Sequence, residues 1–495
     1  MKTKSKLIGS IEDDKNYTLT ENSALTLKSS KSDLTDMFGL GGAFRTRSDE
    51  DVEALFRKAY AEDELLAVKC LFYLRDVRGG QGERRFFKVC LKWLSNNHPE
   101  IIKKNFENIP EYGRWDDVFS LMDTETESEV LDFYGKQIKE DVKKLETESQ
   151  TISLAGKWAK SENSSSEETK RYGSKLRRSL GLTSRQYRKM LSGLRARIDI
   201  VEKKICAKKW EEIDFSKVPS NAMSKLRKAF AKHTPEKFKE FLEKVEEGET
   251  KINSGTLYPY EITSKAAHAS GSTEARTLDA QWKALPDYMA DSDKRVICVV
   301  DVSGSMTWTG VNGVLPIDVA VSLGIYCADK GKGIFKDSFL TFTDECDLEV
   351  IKGTNIVEKS QNLRQAKWGG STNLQSAFNT ILNAGLKEGL GEEDMPNVIF
   401  VITDLEFNPS SSGTTNQKEI EEKYREAGYE VPTLVWWNVN AKNSQSPVTH
   451  DEEGNMLVSG FSPSILETVL TGKSTTPYDL MVEKLSSDRY DKITV

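Results

Sequence analysis

Val296-Ile-Cys-Val-Val-Asp301-Val-Ser303-Gly-Ser305-Met306 is the stretch that decides the fold of this chain. An apolar, largely β-branched run ends in an aspartate, and two serines follow at alternate positions. A short apolar run without polar alternation predicts a central strand of a parallel sheet, buried on both faces. Asp301, Ser303 and Ser305 then fall on the loop leaving its carboxyl end, where open α/β sheets bind their ligands. One carboxylate and two hydroxyls make a hard-oxygen set suited to Mg²⁺ or Mn²⁺. A strand end merely capped by Asp and Ser would show the same residues, so the stretch alone leaves both readings open.

Downstream, strands and helices alternate. Helices are expected at residues 317–330, 357–366, 377–386 and 418–427, with two more near 462–470 and 478–485. Strands are expected at 338–342, 396–404 and 433–438, with a short edge strand at 348–351. That alternation predicts a doubly wound parallel sheet. Two further loops follow apolar strands or precede helices: Gly369-Gly-Ser-Thr372 and Thr403-Asp404.

Upstream, residues 1–45 read as an extended or partly ordered lead-in. Its glycine cluster, Phe38-Gly-Leu-Gly-Gly-Ala-Phe44, reads as a turn and not a phosphate cradle, because no Gly-Lys-Ser/Thr follows. Residues 46–288 carry successive helical patterns with short connections, which suggests a solenoid of helix pairs of HEAT type. The α/β unit then spans 289–495. In the helical part, the turn Arg75-Asp-Val-Arg78-Gly-Gly-Gln-Gly82-Glu-Arg84-Arg85 allows two readings. Its arginines are salt-bridged surface residues, or they face nucleic acid across glycines that permit close approach.

The net charge of −7 hides an asymmetry. Residues 291–495 hold 18 basic and 30 acidic side chains, a balance of −12. Of the chain's 70 and 77, this leaves 52 and 47 before them, a balance of +5. The excess concentrates between Lys170 and Trp210, where 14 Lys and Arg face only Asp199 and Glu202. Tyr187, Leu191, Leu194, Ile198, Val201 and Ile205 recur there at helical spacing, so one helix with an apolar stripe is expected. Arg185, Arg188, Lys189, Arg195, Arg197, Lys203, Lys204 and Lys208 flank the stripe as candidate nucleic-acid-binding residues. Tyr172, Tyr187 and Trp210 are candidate stacking surfaces, although Tyr187 lies on the apolar stripe and core packing is favoured for it. Cations crowded without acidic partners repel one another unless a polyanion or an acidic surface balances them. Docking onto the acidic carboxyl-terminal half and a plain solvated face are the competing readings.

Six scattered cysteines without a CxxC pair read as buried thiols in a reducing compartment. Four isolated histidines argue against a zinc site or a His-based triad. No apolar run approaches the ~20 residues needed to span a bilayer, and the basic start lacks a signal-type apolar region. A cytoplasmic protein without membrane contact is expected.

Asp301-x-Ser303-x-Ser305, Thr372 and Asp404 together resemble the metal-ion-dependent adhesion site of von Willebrand factor A domains. The resemblance implies one Mg²⁺ (or Mn²⁺) held by Asp301, Ser303, Ser305, Thr372 and Asp404, with a position open to an acidic ligand. Arg78-Gly-Gly-Gln-Gly82-Glu, Tyr112-Gly-Arg-Trp115-Asp-Asp, Lys157-Trp158, Tyr187-Arg-Lys-Met-Leu191-x-x-Leu194-Arg195 and Val218-Pro-Ser-x-Ala222-Met223 resemble an uncharacterised family of phages, giant viruses, bacteria and plants. There a helical region precedes an A domain. That arrangement is similar to the TROVE-module Ro ribonucleoproteins, in which HEAT-like helices form a ring closed by an A domain. The resemblance implies a non-enzymatic ribonucleoprotein component that binds small structured or misfolded RNA. The alternative is a metal-dependent module that binds an acidic residue of a protein partner without RNA. No two-metal carboxylate cluster of a nuclease stands out.

Overall fold

The computed structural model describes residues 15–145, 147, 151–198, 200–308, 313–363 and 368–495. Helices dominate as far as Lys283, and a six-stranded sheet with helices on its faces follows. Local signals set several helix starts. Ser48 and Asp51 form a capping box at the helix Asp49–Glu62, and Asp63 caps Glu64–Arg75 by accepting from the Leu66 amide. No helix among the described residues is long and apolar enough to cross a membrane. Cys206, expected among the buried thiols, is exposed instead.

An amino-terminal hairpin pairs β1 (Tyr17–Leu19) with β2 (Leu25–Leu27). The main sheet comprises β3 (Val296–Asp301), β4 (Ser338–Phe342), β5 (Cys346–Val350), β6 (Val398–Thr403), β7 (Thr433–Asn438) and β8 (Asn455–Ser459). Its order is β5-β4-β3-β6-β7-β8, parallel throughout except for the antiparallel edge pair β4–β5. β3 is central and buried from Ile297 onward, as its unbroken apolar run requires. Each such side chain contributes about 1.5–3 kcal/mol on burial. β8 has no strong signal in the sequence, with only Met456-Leu-Val458 apolar. All five of its residues are buried nonetheless.

Where an extended or partly ordered lead-in is expected over residues 1–45, residues 15–45 form a hairpin and a helix packed on the sheet; residues 1–14 lie outside the described residues. Leu27 and Ser446 exchange backbone hydrogen bonds of 3.1 and 2.9 Å. The helix Asp33–Gly41 is buried from Leu34 to its end and packs on β8. The glycine cluster is the reason it can. A Cβ on Gly39 would stand 3.1 Å from the Leu457 Cβ, and one on Gly42 would stand 2.7 Å from the Ser459 carbonyl oxygen. Ser459 Oγ donates to the Phe38 carbonyl and accepts from the Gly42 amide, both at 3.0 Å. The cluster is a helix end pressed onto a strand, closed by a turn at Gly42 and Ala43.

The turn after the helix Glu64–Arg75 joins the early helices to the carboxyl-terminal segment. Asp76 is fully buried. It accepts from Arg489 Nη2 at 2.6 Å, from Arg489 Nε, and from the Tyr490 hydroxyl at 3.1 Å. Gly80 sits where a Cβ would be 1.9 Å from the Tyr73 carbonyl oxygen, and Gly82, at φ +62°, where it would be 1.8 Å from the Tyr258 hydroxyl. Gln81 Nε2 donates to Tyr73 Oη at 2.8 Å, and its Oε1 accepts from the Ser462 amide. Arg75 is fully buried on Asp117, at 2.6 and 2.9 Å. The glycines therefore serve close approach within the protein. Of the four arginines of this turn, Arg78 and Arg84 are exposed; Arg85 pairs with Asp49, and Arg78 donates to the Glu111 carbonyl.

Arg489→Ala strands the Asp76 carboxylate in the interior. Stability should fall by about 3 kcal/mol, the low end for a broken buried pair because the guanidinium is partly exposed. Urea denaturation followed by circular dichroism reads the change.

Candidate metal centre and cationic face

The parallel pairing of β3 with β6 sets Val300 beside Ile402, so the residues just beyond meet at the carboxyl end of the sheet. Asp301 Oδ2 accepts from Thr403 Oγ1 at 2.6 Å, and Oδ1 accepts from the Ser303 amide at 2.9 Å. The Ser303 and Ser305 hydroxyls lie 3.1 Å apart. The loop carrying them is tied to the glycine loop, since Gly304 N donates to Gly370 O at 3.1 Å and Gly369 N to Val302 O at 2.8 Å. That brings Thr372 to the same end of the sheet. Asn408 N donates to the Thr372 carbonyl at 2.9 Å, linking it to the loop after β6. The adjacent Ser371 faces elsewhere, donating to Asp344 and accepting from Asn408 Nδ2 at 2.9 Å.

Asp301, Ser303, Thr372 and Asp404 are buried, and Ser305 is half-buried. Burial and the neighbouring Asp404 carboxylate push Asp301 up to about 7, against hydrogen bonds from Ser303 and Thr403 that pull it down. Asp404 Oδ2 is buried and accepts no hydrogen bond. The Lys442 ammonium lies 3.1 Å from it, an ion pair without hydrogen-bond geometry. Among the described residues no three His, Cys, Asp or Glu side chains gather as a metal cluster. The donor set at this end of the sheet is two carboxylates and three hydroxyls, all hard oxygens of the kind Mg²⁺ and Mn²⁺ take.

Several residues around this centre carry no signal in the sequence. Asn22, on the turn between β1 and β2, places Nδ2 2.6 Å from the Glu406 carbonyl and 3.4 Å from Thr372 Oγ1. Glu406 is buried. It accepts from the Glu21 amide at 2.7 Å and from Asn443 Nδ2 at 2.8 Å. Burial, then the Asp404 charge, push its carboxyl above the usual range. Asn22 and Thr372 are 350 positions apart, and no local pattern could pair them.

The expected basic helix is two helices, Ser184–Arg197 and Val201–Cys206; Asp199 lies outside the described residues. Tyr187, Leu191 and Leu194 enter the main core, whereas Val201 and Ile205 pack with Ile213, Phe215 and Phe230 in a separate cluster. One stripe thus serves two cores, and Ile200 turns extended between them. The cations divide as well. Arg171, Lys175 and Arg177 pair with Asp123, Glu127 and Glu162. Arg185, Arg188, Lys189, Lys203 and Lys208 are exposed, and none forms an ion pair among the described residues. Arg197 is exposed, with Nη2 3.5 Å from the Thr147 carbonyl, and Lys204 is half-buried. Arg195 is turned inward, donating to the carbonyls of Gly156 at 3.1 Å and Ala159 at 2.9 Å.

Of the three aromatic candidates, Tyr187 and Tyr172 are committed inward, and Trp210 is half-buried. Tyr187 is buried with its hydroxyl on the Lys160 carbonyl at 2.7 Å. Tyr172 is buried and donates to Asp123. Trp210 stacks on His233 at 4.2 Å. Among the described residues, no ion pair of residues 170–209 reaches the α/β half, so docking of the basic run onto the acidic half is not seen.

Residues 20–130 and 126–294 match the model of the family described as Domain of unknown function (DUF2828). The chain belongs to that family. Residues 295–492 match a second description, Domain of unknown function (DUF7788), and the two matches meet one residue before β3. Uncharacterized protein L728 of Acanthamoeba polyphaga mimivirus is a relative, 30% identical over 511 residues that cover 95% of this chain and 87% of the relative. A solved structure similar to this chain is titled Crystal structure of Deinococcus radiodurans RO (RSR) protein. It shares 13% identity at a TM-score of 0.38, over 94% of this chain and 95% of that one.

Arg195 and Lys189 separate the two kinds of cation on this helix. Arg195→Ala removes two charged donors from carbonyls and should lower stability by about 2 kcal/mol. Lys189→Ala should leave it within about 0.5 kcal/mol. Thermal melts of the two variants check this.

Proposed function

We propose that the protein is a non-enzymatic RNA-binding component of a ribonucleoprotein. On this reading its HEAT-like helical region is of TROVE type, and its α/β part is a von Willebrand A-type domain. The observation that carries the RNA reading is the cationic face. Five side chains, Arg185, Arg188, Lys189, Lys203 and Lys208, are exposed and form no ion pair among the described residues, on a chain whose net charge is −7. The residues beneath them supply the apolar anchor, so the cations are presented by packed helices and not by a free tail. Such a face meets phosphates, and its affinity depends on released counterions. Contacts of this type orient the nucleic acid and do not read bases. Small structured or single-stranded RNA is the expected ligand.

The test is filter binding of RNA that copurifies with the full chain, across a salt series. Replacing the five cations by alanine should weaken binding and reduce the slope of log K against log salt by up to about 3.5 for a single strand. Equal affinity and slope in parent and variant would remove this face from consideration.

A second reading is favoured by the buried Asp404 Oδ2 that accepts no hydrogen bond. Asp301, Ser303, Ser305, Thr372 and Asp404 would hold Mg²⁺ or Mn²⁺. When bound, the ion supplies a Lewis-acidic position that accepts an oxygen of an acidic ligand, such as a carboxylate on a partner protein. The protein's own part is to fix the five oxygens and keep bulk water out. Asp301→Ala should abolish Mn²⁺ binding in calorimetry while the far-ultraviolet circular dichroism stays that of the parent. A protein partner retained equally by this variant and in EDTA would show that the centre does not bind it.

A further inference from the structure

We propose that Lys442 is a tethered cation of the candidate metal centre, competing with the divalent ion for Asp404 and held in place by the amino-terminal segment. The inference rests on the metal reading and adds to it a residue outside the five. Asp301 and Asp404 are two buried carboxylates at one end of the sheet. Two carboxylates side by side in a desolvated site repel strongly unless one is protonated or a cation lies against them. Lys442 is the cation that pairs with Asp404 among the described residues, with Nζ 3.1 Å from Oδ2. The same ammonium is 3.9 Å from the Glu21 carboxylate.

Lys442 is not there by chance of a flexible side chain. Its backbone is fixed on both sides by the amino-terminal segment, since the Ala441 amide donates to the Ala43 carbonyl at 3.1 Å and Arg47 Nη1 donates to the Lys442 carbonyl. The turn between β1 and β2 is clamped nearby. Thr20 Oγ1 donates to the Phe407 carbonyl at 2.7 Å, the Glu21 amide to Glu406 at 2.7 Å, and Asn22 to the Glu406 carbonyl at 2.6 Å. The segment thus delivers one positive charge to Asp404 and sets Asn22 against Thr372. A divalent ion and an ammonium cannot share the same carboxylate oxygen without repulsion. Metal entry therefore displaces Lys442, and the ammonium moves outward toward Glu21 and solvent. The amino-terminal segment in this way sets the metal affinity of a site hundreds of residues away.

Two measurements on the full chain test this. Mn²⁺ titration calorimetry compares the parent with Lys442→Gln and Lys442→Arg. The glutamine variant should bind Mn²⁺ at least about tenfold more tightly, from one repulsive charge removed, and the arginine variant should stay near the parent. Lysine acetylation footprinting of the unmodified chain is independent of any variant's folding. The reactivity of Lys442 should rise when Mn²⁺ saturates the protein and fall again in EDTA. Glutamine-variant binding no tighter than the parent, or Lys442 reactivity insensitive to saturating Mn²⁺, overturns the competition while leaving the metal site standing. No Mn²⁺ binding by the parent or either variant overturns the metal reading and this inference with it.

Discussion

A single buried carboxylate, Asp76, ties the early helices to the carboxyl-terminal segment. It lies on a turn squeezed so tightly that two of its glycines have no room for a Cβ, and its charge is met by Arg489, 413 positions away. A buried charge must be paired or it costs several kcal/mol. The carboxyl-terminal tail is therefore bound to the early helices. Asn105 and Asn108 extend the same contact by donating to the carbonyls of Thr494 and Lys492, at 2.7 and 3.1 Å. One continuous apolar core runs through both halves, from Leu74 and Tyr112 to Val300 and Tyr490.

That interleaving changes what the candidate metal centre is. The five oxygens come from three loops of the sheet, but the surroundings come from the amino terminus. β1, β2 and the helix Asp33–Gly41 are the first described elements, and they are built onto the last strands. A parallel sheet leaves polar residues at the carboxyl ends of its strands because the apolar strand interiors exclude them. Here the amino-terminal turn brings Asn22 to that end and the neighbouring segment fixes Lys442. The electrostatics of the centre thus belong to the whole chain and not to the α/β part alone.

Much of the fold is legible in the residues. β3, β4, β6 and β7 announce themselves as apolar runs, because a strand buried on both faces admits little else. The polar residues after β3 and β6 are likewise legible, and the structure draws Asp301, Ser303, Ser305, Thr372 and Asp404 to one end of the sheet. β8 is not legible, since three apolar residues carry no period. Its burial comes from the helix that covers it. The break between Leu194 and Val201 is hidden for a related reason. The apolar spacing is that of one helix, yet its two parts face different cores, and packing outweighs local preference. Arg195 resembles its exposed neighbours in type and spacing, but the free carbonyls of Gly156 and Ala159 claim it.

The sequence by itself determined the local structure and the chemistry on offer: which runs bury themselves, where carboxylates and hydroxyls follow a strand, and where cations crowd. Those properties depend on neighbours a few positions apart, so they can be read along the chain. Only the tertiary structure decided which groups meet. It placed Lys442 on Asp404, Asn22 on Thr372 and Arg489 on Asp76, and it sorted inward from outward cations on one basic segment. Those outcomes depend on contacts between distant residues, whose energies are set by burial and charge in the folded interior and leave no periodic trace in the chain.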